Sequence, residues 1–216
     1  MIKLVKLLLF SLLLSQGALG QELKVEEVLD NYAQRSIKLN DVQSEAKLGL
    51  KLVAGFFPYS EKLDGRYYYL NPNKHRLEFD DAPSYFDKAP NMFNWALPSL
   101  EKYRAKVKGP YGKDLSKTYE VLFLPKNQDS STLSISCIFQ AQDWRLVRQV
   151  TSYKDGGAVQ LKFEYMKDSE LPVLDRIVAK VSIPSYSLSG DATIQFSEQK
   201  VNEGLDASVF TASSKK

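Results

Sequence analysis

The chain has 216 residues, of which 44% are hydrophobic and 25% are charged, and its formal net charge is +3. These proportions are typical of a globular protein, and they exclude collagenous, disulfide-rich and compositionally disordered chains. The single cysteine excludes an internal disulfide, and the single histidine excludes zinc sites built from two or three imidazoles. The charges are interspersed rather than gathered in a basic stripe, so we do not expect nucleic acid as a partner.

Residues 1–20 have the three-part plan of a secretory signal peptide. Lys3 and Lys6 precede a largely apolar run at residues 7–14, and Ala18 and Gly20 occupy the −3 and −1 positions of a cleavage site. The run is shorter than the ~20 apolar residues that a membrane span needs. We therefore expect residues 1–20 to be removed during export and residues 21–216 to form a single domain.

Residues 25–39 carry the periodicity of an amphipathic helix. Their apolar side chains recur at spacings of three and four residues, namely Val28, Leu29, Tyr32, Ala33 and Ile37. Acidic residues occupy the first turn, where they favour a helix start. The sequence predicts one N-terminal helix at this position.

After the helix, apolar and polar residues alternate along most of the chain. The alternation is clear in residues 46–52, 133–139, 159–165, 177–183 and 192–196, and further strands are predicted at 65–70, 74–79, 102–108, 118–124 and 144–151. Such alternation is typical of antiparallel strands with one buried face. A sheet of about ten such strands must curl around its apolar side, so the predicted fold is mainly β (α+β). Its interior is either filled by large aromatic side chains or partly hollow.

Residues 81–100 break this alternation. The segment contains Pro83, Pro90 and Pro98 among many apolar and aromatic residues. A segment with this many prolines cannot be a central strand. We predict a flap of loop or short helices, which covers either an ordinary core or an apolar cavity.

Few residues offer catalytic chemistry. His75 lies between Lys74 and Arg76, which favours an exposed position, and Cys137 lies on the apolar face of its strand, which favours a buried and unreactive thiol. We find no phosphate loop, dinucleotide fingerprint or serine nucleophile elbow. The sequence therefore identifies no catalytic residue.

Three stretches carry a resemblance to a known family. They are residues 65–73 (GRYYYLNPN), residues 153–157 (YKDGG) with the later Leu171-Pro172-Val173, and residues 201–210 (VNEGLDASVF). In this order, behind a signal peptide, one helix and a long first strand, they resemble the periplasmic LolA-type carriers that sort outer-membrane lipoproteins. In the enterobacterial carriers an arginine directly before the proline of the first stretch helps to hold a lid shut, whereas this chain has Asn71 there.

The resemblance implies a fold and a function. The fold is a curved, unclosed antiparallel β-barrel with an N-terminal helix and a helical or loop flap over its concave apolar face. The function is a periplasmic carrier that binds the acyl chains of lipoproteins, or another lipid, in an apolar cavity and moves them toward the outer membrane. The implied partners are an acylated lipoprotein or other lipid, an inner-membrane transporter and an outer-membrane acceptor. Enzyme activity, a cofactor, a metal and a stable oligomer are not implied.

We expect the lipid to contact inward-facing side chains of the strands and the flap. The candidates are Leu48, Leu50, Leu52, Tyr68, Phe93, Trp95, Ile135, Phe139, Leu161, Phe163, Val181 and Ile194. A register error of one residue would move a strand's whole set to the other face. The alternative function is a non-catalytic envelope sensor or interaction module of the same fold, with a filled core and the flap as a partner surface. An envelope hydrolase with scattered catalytic residues is a third possibility that the sequence leaves open.

Overall fold

The computed structural model describes residues 23–81, 95–113 and 117–211. In these ranges one helix, α1 (Val25–Ser36), is followed by ten strands. The strands are β1 (Asp41–Ala54), β2 (Phe57–Leu70), β3 (Lys74–Phe79), β4 (Tyr103–Tyr111), β5 (Thr118–Pro125), β6 (Thr132–Gln140), β7 (Leu146–Tyr153), β8 (Ala158–Tyr165), β9 (Leu174–Ile183) and β10 (Leu188–Val201). Short 3-10 turns occupy Pro184–Tyr186 and Ala207–Phe210. The predicted signal peptide and most of the predicted flap lie outside the described residues.

All ten strands belong to one antiparallel sheet. The strand order is β3-β2-β1-β10-β9-β8-β7-β6-β5-β4, so the last strand of the chain pairs with the first. Because β3 and β4 form the two edges and do not pair with each other in the part of the chain described here, the barrel is unclosed. This confirms the predicted fold class.

The concave face of the sheet holds the core. On β1, Ala46, Leu48, Leu50 and Leu52 are buried while most of the residues between them are not. Leu48 lies opposite Ile194 of β10 and Leu63 of β2, and all of these side chains are buried. The period-two pattern therefore places one apolar side chain per strand in each layer of the core.

Strand β2 is longer than the sequence predicts. It was expected to begin at residue 65, yet it pairs with β1 along its whole length, from Leu70 opposite Asp41 to Phe57 opposite Ala54. The extra residues, 57–64, lack a regular apolar alternation, and all of them except Leu63 are exposed or half-buried. They form a strand because hairpin pairing with β1 satisfies their backbone groups.

Helix α1 packs across the concave face. Val28 is fully buried, and the ring of Tyr32 meets that of Phe139 on β6 edge-on at 5.5 Å between centroids. The backbone N–H of Lys24 donates to the Glu27 carboxylate at 2.7 Å, which closes the first turn. The helix ends at Ser36, three residues before the predicted boundary at residue 39.

Asn202 fixes the end of this helix to the sheet. Its Oδ1 accepts the backbone N–H of Asn40 at 2.7 Å, and its Nδ2 donates to the Lys38 carbonyl at 2.8 Å. Arg76 on β3 donates to the carbonyl of Val209, a few residues further along. The stretch at residues 201–210 therefore ties the last strand to both the helix end and an edge strand.

No helix in the described ranges is long and apolar enough to cross a membrane.

Candidate functional site

A small cavity lies between the C-terminal half of α1 and the concave face of the sheet. Its volume is about 40 Å³. The helix, strands β2, β3 and β8, the segments before β7 and β9, and the end of the flap all contribute to its wall. The lining residues are Tyr32, Arg35, Ser36, Leu39, Val42, Tyr67, Tyr69, His75, Trp95, Arg145, Leu146, Phe163, Tyr165, Pro172, Val173 and Leu174.

Tyr67, His75 and Trp95 form a hydrogen-bonded aromatic cluster in this wall. The Trp95 indole N–H donates to Nδ1 of His75 at 3.0 Å, and the Tyr67 hydroxyl lies 2.9 Å from the same nitrogen. The Trp95 ring centroid is 5.6 Å from that of His75 and 5.8 Å from that of Tyr67. Because an indole N–H can only donate, Nδ1 must be unprotonated, so His75 is neutral here.

Burial reinforces the neutral state of His75. Desolvation of the imidazole lowers its pKa to about 3. The prediction of an exposed histidine is therefore wrong. Lys74 and Arg76 flank His75 along β3, and alternation turns His75 to the inner face with Leu77 and Phe79.

Two hydrogen bonds attach the end of the flap to the turn between β2 and β3. The Asn73 side chain accepts the backbone N–H of Leu97 at 3.2 Å and donates to the Leu97 carbonyl at 3.3 Å. With the Trp95–His75 bond, this places the flap end against the cavity. We call the Asn73–Leu97 pair the latch.

Two arginines also line the cavity. Arg35, in the last turn of α1, donates through Nη1 to the Glu170 carbonyl at 2.6 Å. The Nε atom of Arg145 lies 2.5 Å from Oδ2 of Asp143, and its guanidinium lies 5.4 Å from the centre of the Tyr165 ring. One wall of an otherwise aromatic and aliphatic cavity is therefore positively charged.

The other ionisable groups of the site are neutral at physiological pH. Burial raises the pKa of Tyr69 to about 12, and it also raises the pKa of Tyr32, Tyr67 and Tyr165. Burial likewise raises the pKa of the Cys137 thiol, which is fully buried, as the sequence predicted. The phenols therefore stay protonated, and the wall presents hydroxyls and rings rather than nucleophiles.

Most of the predicted lipid-contacting residues face the concave side. Those in the buried core are Leu48, Leu50, Leu52, Trp95, Phe139, Leu161, Phe163, Val181 and Ile194, and Ile135 packs against it while partly exposed. Of these, Trp95 and Phe163 line the cavity, and the others fill the interior around it. Phe93 lies outside the described residues. Contact of any of them with a lipid stays a prediction.

Tyr68 does not belong to this set. Its side chain is buried, but it lies on the other face of β2, where it hydrogen-bonds the exposed Arg66. Tyr67 and Tyr69 point inward instead and line the cavity. Three consecutive tyrosines cannot be assigned to faces by alternation alone, which explains the wrong choice.

Several cavity residues were not predicted from the sequence. For His75, the alternation with Leu77 and Phe79 was a usable signal. For Arg35 and Arg145 there was none, because one ends a helix and the other lies in a turn, and only the folded chain brings them to one cavity.

No protein-family model matches the chain, and no curated protein matches it. Solved structures do resemble it. A domain from Vibrio parahaemolyticus named for outer membrane lipoprotein sorting aligns with a TM-score of 0.61 at 11% identity, covering 85% of this chain and 94% of that one. A DUF1329 family protein from Desulfovibrio piger aligns with a TM-score of 0.55 at 14% identity, covering 86% of this chain and 96% of its own.

A LolA superfamily protein from Nitrosomonas europaea also aligns, with a TM-score of 0.55 at 8% identity, covering 88% of this chain and 98% of that one. At such low identities these similarities are evidence about the fold alone. The chain thus has the fold of LolA-superfamily and lipoprotein-sorting domains, as the resemblance in its sequence predicted.

Proposed function

We propose that the protein is a non-enzymatic periplasmic carrier that binds the acyl chains of a lipoprotein, or another lipid, and moves them toward the outer membrane. The observation that carries the proposal is the apolar concave face of an unclosed sheet, covered by one helix and a flap end held by a few hydrogen bonds. The likeness of the fold to lipoprotein-sorting domains supports it.

The described state would be the closed one. A cavity of about 40 Å³ is far smaller than the 300–1,000 Å³ typical of small-molecule sites, so binding an acyl chain requires the cover to move. Each buried methylene contributes ~0.8 kcal/mol, so several together offset the loss of the latch and of the Trp95–His75 bond. Release would follow when a competing apolar site allows the cover to close again.

The cellular setting belongs to the same proposal. Residues 1–20 would direct export, and residues 21–216 would act in the periplasm as one domain. An inner-membrane transporter would load the carrier and an outer-membrane acceptor would unload it. We propose that it works as a monomer, without metal or cofactor.

The latch provides the test. Asn73→Ala removes both hydrogen bonds to Leu97, each worth about 0.5–1.5 kcal/mol, so uptake of the fluorescent polyene cis-parinaric acid should accelerate about 5-fold or more. Asn127→Ala is the matched control, because Asn127 also accepts a backbone N–H in a turn, from Asp129 at 2.9 Å, but away from the cavity. Stopped-flow fluorescence measures the rates. If neither the parent nor the variant binds the probe, the carrier proposal is wrong.

The small cavity also favours a second candidate, an interaction module with a filled core. The tip of the β1–β2 hairpin presents Phe56, 97% exposed, and Phe57, 78% exposed, beside Ser187, whose carbonyl accepts the Gly55 N–H at 2.8 Å. Exposed aromatics of this size often mark contact surfaces. Failure to bind any acyl probe, together with loss of a partner on Phe56→Ser, would favour this candidate.

A further inference from the structure

Arg35 brings a charge into the cavity wall that no carboxylate of the described residues balances. The ion pairs in the described residues involve Arg76, Arg145, Lys162 and Arg176, and none of them includes Arg35. The contact made by its Nη1 is with a backbone carbonyl, that of Glu170. A partly buried guanidinium without a carboxylate partner is costly unless something else supplies the negative charge.

The Nε atom of Arg35 is a second, independent sign that this side chain lacks a full set of partners. It is buried and has no hydrogen-bond acceptor among the residues the structure describes. Buried donors are nearly always satisfied, so an unused one next to a cavity indicates a missing acceptor. The planar guanidinium presents its N–H groups as a fork that matches the two oxygens of a carboxylate or phosphate.

Arg145 shows what a balanced arginine in the same wall looks like. It is paired with Asp143 and lies over the ring of Tyr165, so its charge is already compensated. Its Nε atom, like that of Arg35, makes no hydrogen bond among the described residues, but Asp143 supplies a balancing charge. Arg35 is therefore the arginine of this wall whose charge no carboxylate of the described residues balances.

The position of Arg35 at the end of α1 explains only part of this arrangement. A basic side chain in the last turn interacts favourably with the helix dipole, and the bond to the Glu170 carbonyl holds the segment before β9. Neither role requires the Nε atom to be buried against an aromatic cavity. A lysine would serve the dipole equally well but could not grip two oxygens at once.

We propose that the cavity takes a long-chain amphiphile with an anionic headgroup, a carboxylate or a phosphate, and that Arg35 binds that headgroup. The aromatic and aliphatic wall, with Tyr67, Trp95 and Phe163, contacts the chain. This inference rests on the proposed carrier function and specifies the class of ligand. It distinguishes a lipid with a charged headgroup from a neutral acylglycerol or ester of the same chain length.

The experiment compares matched probes on the full protein. cis-Parinaric acid and its methyl ester share one fluorescent chain and differ in the charge of the headgroup. The parent should bind the acid about 10-fold or more tightly than the ester, and Arg35→Gln should reduce affinity for the acid by a similar factor while leaving the ester unchanged. Arg35→Lys should restore part of the preference. Arg148→Gln, which removes an exposed arginine of β7 that is hydrogen-bonded to Gln160 of β8, should change neither affinity.

Competition identifies the source of the anion. Displacement of the probe by a lysophosphatidic acid, but not by hexadecanol or by excess inorganic phosphate, would show that phosphate and chain are needed together. Displacement by phosphate alone would mean a free-anion site and would overturn the amphiphile proposal.

The failures are distinguishable. If both probes bind with equal affinity and Arg35→Gln alters them equally, the headgroup inference is wrong while the carrier function stands. If neither probe binds, the carrier function itself is wrong. Should Arg35→Gln fail to fold by circular dichroism, the preference of the parent for acid over ester, and its weakening with added salt, decide the question.

Discussion

Acid should destabilise this protein through one residue. His75 is the only histidine in the chain, and its imidazole is held neutral by burial and by the Trp95 N–H that donates to Nδ1. In the unfolded chain its pKa returns to the ordinary 6.5 or so. The unfolded state therefore binds a proton at pH values where the folded state does not, and the free energy of unfolding rises with pH over that range.

The size of the effect follows from the two pKa values. With a folded pKa of about 3, the contribution of His75 is complete above pH 7 and is lost progressively as the pH falls from about 6.5 toward 3. At pH 5 the loss is about 2 kcal/mol, since each pH unit below the unfolded pKa costs about 1.36 kcal/mol. For a chain of this size that lowers Tm by roughly 4–8 °C.

The assay is urea unfolding followed by tryptophan fluorescence between pH 5 and 7.5. The fold lowers the pKa of the carboxyls of Asp155, Glu164 and Asp206, so these groups titrate below this pH range. The pH dependence between pH 5 and 7.5 is therefore assigned to His75. His75→Asn keeps an acceptor for the Trp95 N–H and removes the titrating group, so its stability should be flat from pH 7.5 to 5. A parent protein with equal stability at pH 5 and pH 7.5, or a variant that keeps the pH dependence, would show that His75 does not cause it.

Two further predictions concern the sheet and its core. A Cβ added at Gly65 would lie 2.0 Å from the Glu78 carbonyl oxygen, so Gly65→Ala should cost about 2 kcal/mol or more, whereas Gly49→Ala, with nothing within 4 Å, should be near neutral in the same urea titration. Phe139→Ala removes a fully buried ring and should lower the free energy of unfolding by about 3–5 kcal/mol. Leu133→Ala near the start of the same strand, where the side chain is 55% exposed, should change it by less than about 0.5 kcal/mol, and equal losses at the two positions would contradict the difference in burial between them.

The alternation of apolar and polar residues predicted most of the fold. The run at residues 46–52 predicted both the strand β1 and its buried face, because a strand with one apolar side has a single register that hides that side. It failed at Tyr67-Tyr68-Tyr69, where every residue is aromatic and only pairing with β1 and β3 decides which ones turn inward. It also failed for the first half of β2, where hairpin pairing determines the structure and side-chain hydrophobicity does not.

Less of the candidate site than of the fold could be predicted from the sequence. Its wall combines a helix end, an edge strand, a turn and the flap, and no local pattern links these segments. The charged neighbours of His75 suggested exposure, whereas the strand turns them to the opposite face. The latch, too, could not be predicted from a local sequence pattern. The family resemblance draws attention to Asn71, before the proline, but it is Asn73, after the proline, that bonds the end of the flap at Leu97.

If the covered concave face holds a lipid, the protein should carry that lipid when it is purified from the cell envelope. Native mass spectrometry followed by solvent extraction would detect and identify it. We expect extraction to release a bound acyl-chain amphiphile with a carboxylate or phosphate headgroup. A bare protein that also fails to take up cis-parinaric acid would mean that the concave face holds no lipid, and the interaction module would then be the better explanation.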